Sequence, residues 1–147
     1  MRSTANEQLV MDFFHAMGPT IDDVIRAWET YMTPDAVWKN SGFPDMVGIE
    51  QIKHLLREQK RLFNFERVKV LEHRLLTSAD DTVFFERRDS IVDANDAVVY
   101  AFDILGAFKI ANGRIIEWRD YMDTSVIRRD WNAQDPTGLA SQAAVAI

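Results

Sequence analysis

The sequence predicts an α+β domain in which three N-terminal helices wrap a curved antiparallel or mixed β-sheet into a cone with an internal pocket. Three observations predict it. Apolar residues recur at helical spacing in the first part of the chain. From about Phe65 the pattern changes to alternation with period two. Turn signals at Asp80-Asp81, Asn95-Asp96 and Asn112-Gly113 cut that second part into about four strands. Helices followed by a meander of strands place the helices on one face of the sheet.

Each element follows from local chemistry. Leu9, Val10, Phe13, Phe14 and Met17 give the first helix its apolar face, Ser3 or Thr4 caps it, and Gly18-Pro19 stops it. Thr20 with Asp23 three residues on resembles a capping box for the second helix, which carries Ile21, Val24, Ile25, Trp28 and Tyr31. Thr33-Pro34 ends that helix, because proline disfavours helix at the residue before it. Ala36 to Asn40 reads as a short strand, and Ser41 to Pro44 as a turn. Gly48 to Phe63 reads as the third helix, with Ile49, Ile52, Leu55, Leu56 and Leu62 inward. The strands expected next are 65–76, 82–92, 97–110 and 114 to about 124. The chain thus divides into one domain, 1–130, and a loosely held tail, 131–147.

Bulk composition narrows the function. The 147 residues suit a single domain with a real core, and the absence of cysteine excludes thiolate metal sites and cysteine nucleophiles. A net charge of -6 without a basic stripe argues against nucleic acid as a partner. No window approaches the ~20 apolar residues of a membrane span. The N-terminal stretch reads as a helix rather than a signal peptide, so cytoplasmic is the default location. His15, His54 and His73 are far apart and no pair has metal-ligand spacing, so neither a metal nor a cofactor is expected.

The informative residues are charges on the wrong face. In 82–92, Val83, Phe85, Arg87, Asp89 and Ile91 share a face that is apolar except for Arg87 and Asp89. In 114–124, Ile116, Trp118, Asp120 and Met122 share a face on which Asp120 is the lone charge. Val98, Tyr100, Phe102, Ile104, Gly106 and Phe108 form an apolar face in 97–110, with Asp103 opposite. Trp38 and Asn40 share a face of the early strand. Parity therefore converges on two carboxylates, a guanidinium, an amide and an indole in an apolar pocket. Buried charges are costly unless paired, and an arginine shared by two aspartates meets that condition. Such a network also occurs as a purely structural device that fixes strand register.

The segments Glu86-Arg87-Arg88-Asp89, 102–108 and Gly113 to Tyr121, with Trp38-Lys39-Asn40 upstream, resemble the limonene-1,2-epoxide hydrolase family over roughly residues 5 to 125. That family has the cone fold of the nuclear transport factor 2-like superfamily, which also holds isomerases, polyketide cyclases and non-catalytic binders. The resemblance implies one-step, cofactor-free opening of an epoxide to a diol. It implies Asp120 as the base that deprotonates a water, Asn40 as the amide that holds the water, Asp89 as the acid that protonates the epoxide oxygen, and Arg87 as the bridge. The family commonly places a tyrosine where this chain has Trp38, and an indole offers one N–H donor and no acceptor.

The expected substrate is small and hydrophobic, walled by Phe85, Ile91, Tyr100, Phe102, Ile104, Trp118 and Met122. The outer sheet face, with Val99, Ala101, Leu105 and Ala107, is half apolar and suggests a homodimer, as the resemblance also does. Two other readings stand beside hydrolysis. One is an isomerase or cyclase using a pocket aspartate as base, for which Tyr100 is the inward candidate donor. The other is a non-catalytic binder of small hydrophobic molecules.

Overall fold

A computed structural model describes residues 1–134, with side chains to Asp130. The elements in chain order are α1 (Thr4–Ala16), α2 (Ile21–Tyr31), β1 (Met32–Asn40), β2 (Met46–Val47), α3 (Ile49–Phe63), β3 (Arg67–Ala79), β4 (Thr82–Val92), β5 (Val98–Ala111), β6 (Arg114–Tyr121) and α4 (Ser125–Gln134). The strands form one curled six-stranded sheet in the order β2-β1-β6-β5-β4-β3. All neighbours are antiparallel except β1 and β6, which run parallel. The sheet is mixed and the helices pack into its concave side, which is the cone architecture.

Capping chemistry sets the helix ends. Ser3 caps α1 and accepts from the Asn6 amide. Thr20 and Asp23 make both halves of a capping box on α2. At the β5–β6 hairpin Asn112 and Gly113 take φ of 50° and 73°. Positive φ at both central residues is the type I′ turn that matches the twist of paired strands.

Several boundaries differ from expectation. β1 begins at Met32 rather than Ala36, because the chain leaves α2 directly in extended conformation. Its register against β6 shifts between Met32 and Val37, where Pro34 has no N–H to give the ladder. β3 runs over Arg67–Ala79 rather than 65–76. β2 is too short to carry a period, and it forms only by pairing Val37 with Val47 and Trp38 with Met46. The chain after β6 forms α4, which sequence patterning did not indicate. The expected tail, 131–147, lies outside the described residues apart from the end of this helix.

The core sits between the helices and the concave sheet face. Phe13, Phe14 and Trp28 from α1 and α2 meet Phe85, Phe108 and Trp118 from the sheet, all nearly or fully buried. Beyond this layer the cone stays open as a cavity.

Candidate active site

The cavity floor is ionic. Arg87 on β4 is fully buried, with Asp89 and Asp120 at 5% and 4% exposure. Arg87 Nε donates to Asp89 Oδ2 at 2.8 Å, and Nη2 donates to Asp120 Oδ1 and Oδ2 at 3.1 and 3.0 Å. The guanidinium lies over the Phe14 ring, 4.9 Å from its centroid. Cation–π attraction thus supports a charge that has lost its water.

Register explains how this bridge forms. Arg87 pairs with Ile104, while Gly106 pairs with both Phe85 and Asp120. Asp120 is therefore two strands away from Arg87, roughly 10 Å by strand spacing. Only a long side chain laid across β5 can span that gap, and it crosses at Gly106. A Cβ at Gly106 would meet Arg87 Nη1 at 2.6 Å and Asp120 Oδ1 at 2.9 Å. Gly106 is a site residue that patterning missed. Its signal was available, since it is a glycine in mid-strand, where glycine marks close approach of another group.

The two carboxylates are held unequally. Asp120 Oδ1 also accepts from the Trp118 indole Nε1 at 2.7 Å. Among the described residues Asp89 accepts only from Arg87, and its Oδ1 is buried without a partner. Desolvation pushes Asp89 up to about 6, Arg87 opposing and the nearby Asp120 charge adding to the rise. Desolvation also raises Asp120, against the pull of Arg87 and the Trp118 bond. Burial alone would lower Arg87, but the two carboxylates more than offset it. One proton shared by the two carboxylates makes the whole site electrically neutral, the cheapest charge state in an apolar cavity.

β1 supplies the remaining polar groups. Its parallel register sets Trp38 beside Trp118 and Asn40 beside Asp120. Trp38 Nε1 and Asn40 Oδ1 are both buried and unpartnered. Trp38, Asn40, Asp89, Ile91, Phe102, Ile104, Trp118, Asp120 and Met122 all line the cavity. Trp28, Phe43, Leu55, Gln59, Phe65 and Ile127 line it too. They come from helices and loops, where sequence alternation says nothing about distance from the sheet.

Two expected wall residues do not line the cavity. Phe85 lies at the narrow end, fully buried under Phe14 and His73 at ring separations of 5.3 and 4.8 Å. It supports Arg87 and does not face the open space. Tyr100 pairs with Ile91, the last pair before the register shift, stacks on Phe102, and donates its hydroxyl proton to Asp130 on α4 at 2.7 Å. Parity was right for both, but parity cannot say how far along the cone a residue sits. Among the described residues no group of three or more His, Asp and Glu is placed to hold a metal ion.

The chain matches the limonene-1,2-epoxide hydrolase catalytic domain over residues 4–133. It belongs to that family. Within 90 residues it is 37% identical to epoxide hydrolase EphG of Mycobacterium tuberculosis, a stretch that is 60% of this chain and 56% of that protein. The aligned stretch thus spans little more than half of that relative. The fold is similar to the solved structure of an M. tuberculosis LEH-like epoxide hydrolase, with TM-score 0.63, 23% identity, and 95% and 98% of the two chains covered. It is equally similar, at TM-score 0.63 and 20% identity, to a Jannaschia protein described as a SnoaL-like polyketide cyclase, with 86% and 91% covered. These likenesses show the fold, and the fold serves more than one chemistry. No helix among the described residues is long and apolar enough to cross a membrane.

Proposed function

We propose that this family member is a cofactor-independent epoxide hydrolase that opens a small hydrophobic epoxide by direct attack of water. The observation that carries the reading is the single guanidinium shared by two buried carboxylates that differ in their hydrogen bonding. Asp120 receives three contacts from two donors, which favours its ionised form and makes it the base. Asp89 receives one and has a free oxygen, which suits it to carry the proton and act as acid.

In the reaction, water oxygen bonds to an epoxide carbon as that carbon–oxygen bond breaks. Asp120 takes a proton from the water, and Asp89 gives its proton to the departing oxygen. No charged alkoxide is released into the apolar cavity. The proton then returns from Asp120 to Asp89, by way of solvent, before the next turnover. Trp38 fits this scheme despite lacking an acceptor. Water needs acceptors for two hydrogens, and Asn40 Oδ1 and Asp120 Oδ2 supply them. The Trp38 N–H donates to one lone pair, and the other attacks carbon. The isomerase reading is weakened because the Tyr100 hydroxyl is engaged by Asp130 outside the cavity.

We also propose that two copies pair across the outer sheet face. Leu75, Leu105 and Tyr121 are exposed there in one cross-strand row, with Glu86 between Leu75 and Leu105. Of the face expected from sequence, Ala107 is buried and Leu105 exposed. Sedimentation of the wild type and Leu105→Glu tests the pairing.

The deciding experiment for function is turnover of cyclic and aryl epoxides in oxygen-18 water. Diol labelled from solvent in a single turnover, and lost in Asp120→Asn, is expected. Diol first labelled in the protein, or no diol from any epoxide, would sink the reading.

A further inference from the structure

We propose that Trp118 is a positioning residue for the general base: its indole N–H selects Oδ2 of Asp120 as the oxygen that takes the proton from water. The inference rests on the reading of Asp120 as base and adds which atom acts and what holds it.

A carboxylate oxygen has two in-plane lone pairs. On Asp120 Oδ1 both are used, by Trp118 Nε1 at 2.7 Å and Arg87 Nη2 at 3.1 Å. The same oxygen is pressed against the sheet, since a Cβ at Gly106 would lie 2.9 Å from it. Among the described residues Oδ2 accepts only from Arg87 Nη2 and keeps one lone pair open. Of the two oxygens, Oδ2 is the one able to accept a proton without first breaking a hydrogen bond.

Trp118 cannot turn away from this contact. It is 2% exposed, with Phe13, Trp28 and Phe108 rings at centroid distances of 5.4, 5.0 and 5.1 Å. Its in-register neighbour behaves differently. Trp38 stands beside Trp118 and Asn40 beside Asp120, yet Trp38 Nε1 and Asn40 Oδ1 are both left open. Of two like indole-x-polar pairs, the one on β6 is closed and the one on β1 is free for a water.

The bond also favours the ionised carboxylate. Among the described residues the charged groups that face Asp120 are Arg87 and Asp89, both from β4. β5 presents Gly106 and β1 presents Asn40 opposite Asp120, while Phe108, Trp38 and the Phe13, Phe14 and Trp28 rings of α1 and α2 lie against the adjoining Trp118. α3 and α4 present Leu55, Leu56, Gln59 and Ile127 to the cavity, none of them ionisable. Losing the indole bond therefore leaves Asp120 with Arg87 as its one stabilising donor.

The test replaces Trp118 by 3-benzothienylalanine, which keeps the ring shape and puts sulfur where the N–H was. Trp118→Phe serves as a second, less conservative variant. The Asp120 carboxyl is followed by carbon-13 NMR, and turnover by diol formation. In the isostere Asp120 should titrate about one unit higher, the scale of one hydrogen bond to a charged group. The acidic limb of kcat/KM should move up with it, and kcat should fall about tenfold while KM stays within about threefold. An isostere with wild-type titration and wild-type kcat overturns the role of Trp118 and leaves hydrolysis standing. A wild type that makes no diol overturns the hydrolase reading, and with it Oδ2 as base, whatever the titration shows.

Discussion

Arg87 and Arg88 are neighbours on β4, and each is paired with an aspartate. Arg88 points out of the cone and donates to Asp103 at 3.0 Å, an oxygen that Arg74 also reaches at 3.0 Å. Arg87 points in and holds Asp89 and Asp120. Outside, the Arg88 bond holds Asp103 below the usual carboxylate range. Inside, burial overrides a shorter arginine bond and lifts Asp89 to about 6. The same pair of residue types leaves the carboxyl shifted down on one face and shifted up on the other. Solvent, not the partner, decides the sign.

Removing the proton of the inner pair should have the largest effect. Asp89→Asn keeps the shape and loses the acid, and kcat/KM for epoxide opening should fall about 10²–10⁴-fold. Initial rates of diol formation check this. Removing the shared cation tests stability. Arg87→Met strands two buried carboxylates and should cost about 3–5 kcal/mol in urea unfolding, whereas Arg88→Ala should leave the midpoint unchanged. Equal effects from the two would mean that burial does not set the inner arginine apart from the outer one.

A steric test comes next in size. Gly106 does not sit at positive φ, so an alanine meets only the crowding of Arg87 and Asp120. Gly106→Ala should cost about 1–3 kcal/mol and most of the activity, read by thermal melting and diol assay together. The pH profile sharpens the same point in the wild type. Asp89 acts while protonated, so kcat/KM should fall as pH rises through about 6 and approach tenfold per unit above it. A profile flat from pH 5 to 8 would remove Asp89 as the acid. The smallest effect belongs to β1. Trp38→Phe removes one donor to the water and should lower kcat about tenfold, with Trp38→Tyr recovering much of it.

Much of this was readable beforehand, for a definite reason. Alternation is a property of the extended backbone, so the inward faces of β4 and β6 can be read residue by residue. That is how Arg87, Asp89 and Asp120 stand out as charges among apolar neighbours. Tyr100 and Phe85 show the limit of the same rule. Both have inward parity, yet one lies at the last in-register pair before a shift, beside α4, and the other at the closed end of the cone. Gln59 and Ile127 show a different limit, since α3 and α4 reach the cavity only through packing. Trp118 looked like wall and is also a hydrogen-bond donor, which needs a measured distance to be seen.

By itself the sequence determined the order of the first three helices and the five longer strands, the capping residues of α1 and α2, the β5–β6 turn and the set of charges that must share an interior. Those follow from φ, ψ and side-chain direction, which are local. Only the tertiary structure decided that β1 runs parallel to β6, that Gly106 sits where Arg87 crosses to Asp120, and that Asp120 Oδ1 is closed while Oδ2 and Asp89 Oδ1 stay open. Those depend on register between strands far apart in the chain, and on burial, which no local pattern encodes.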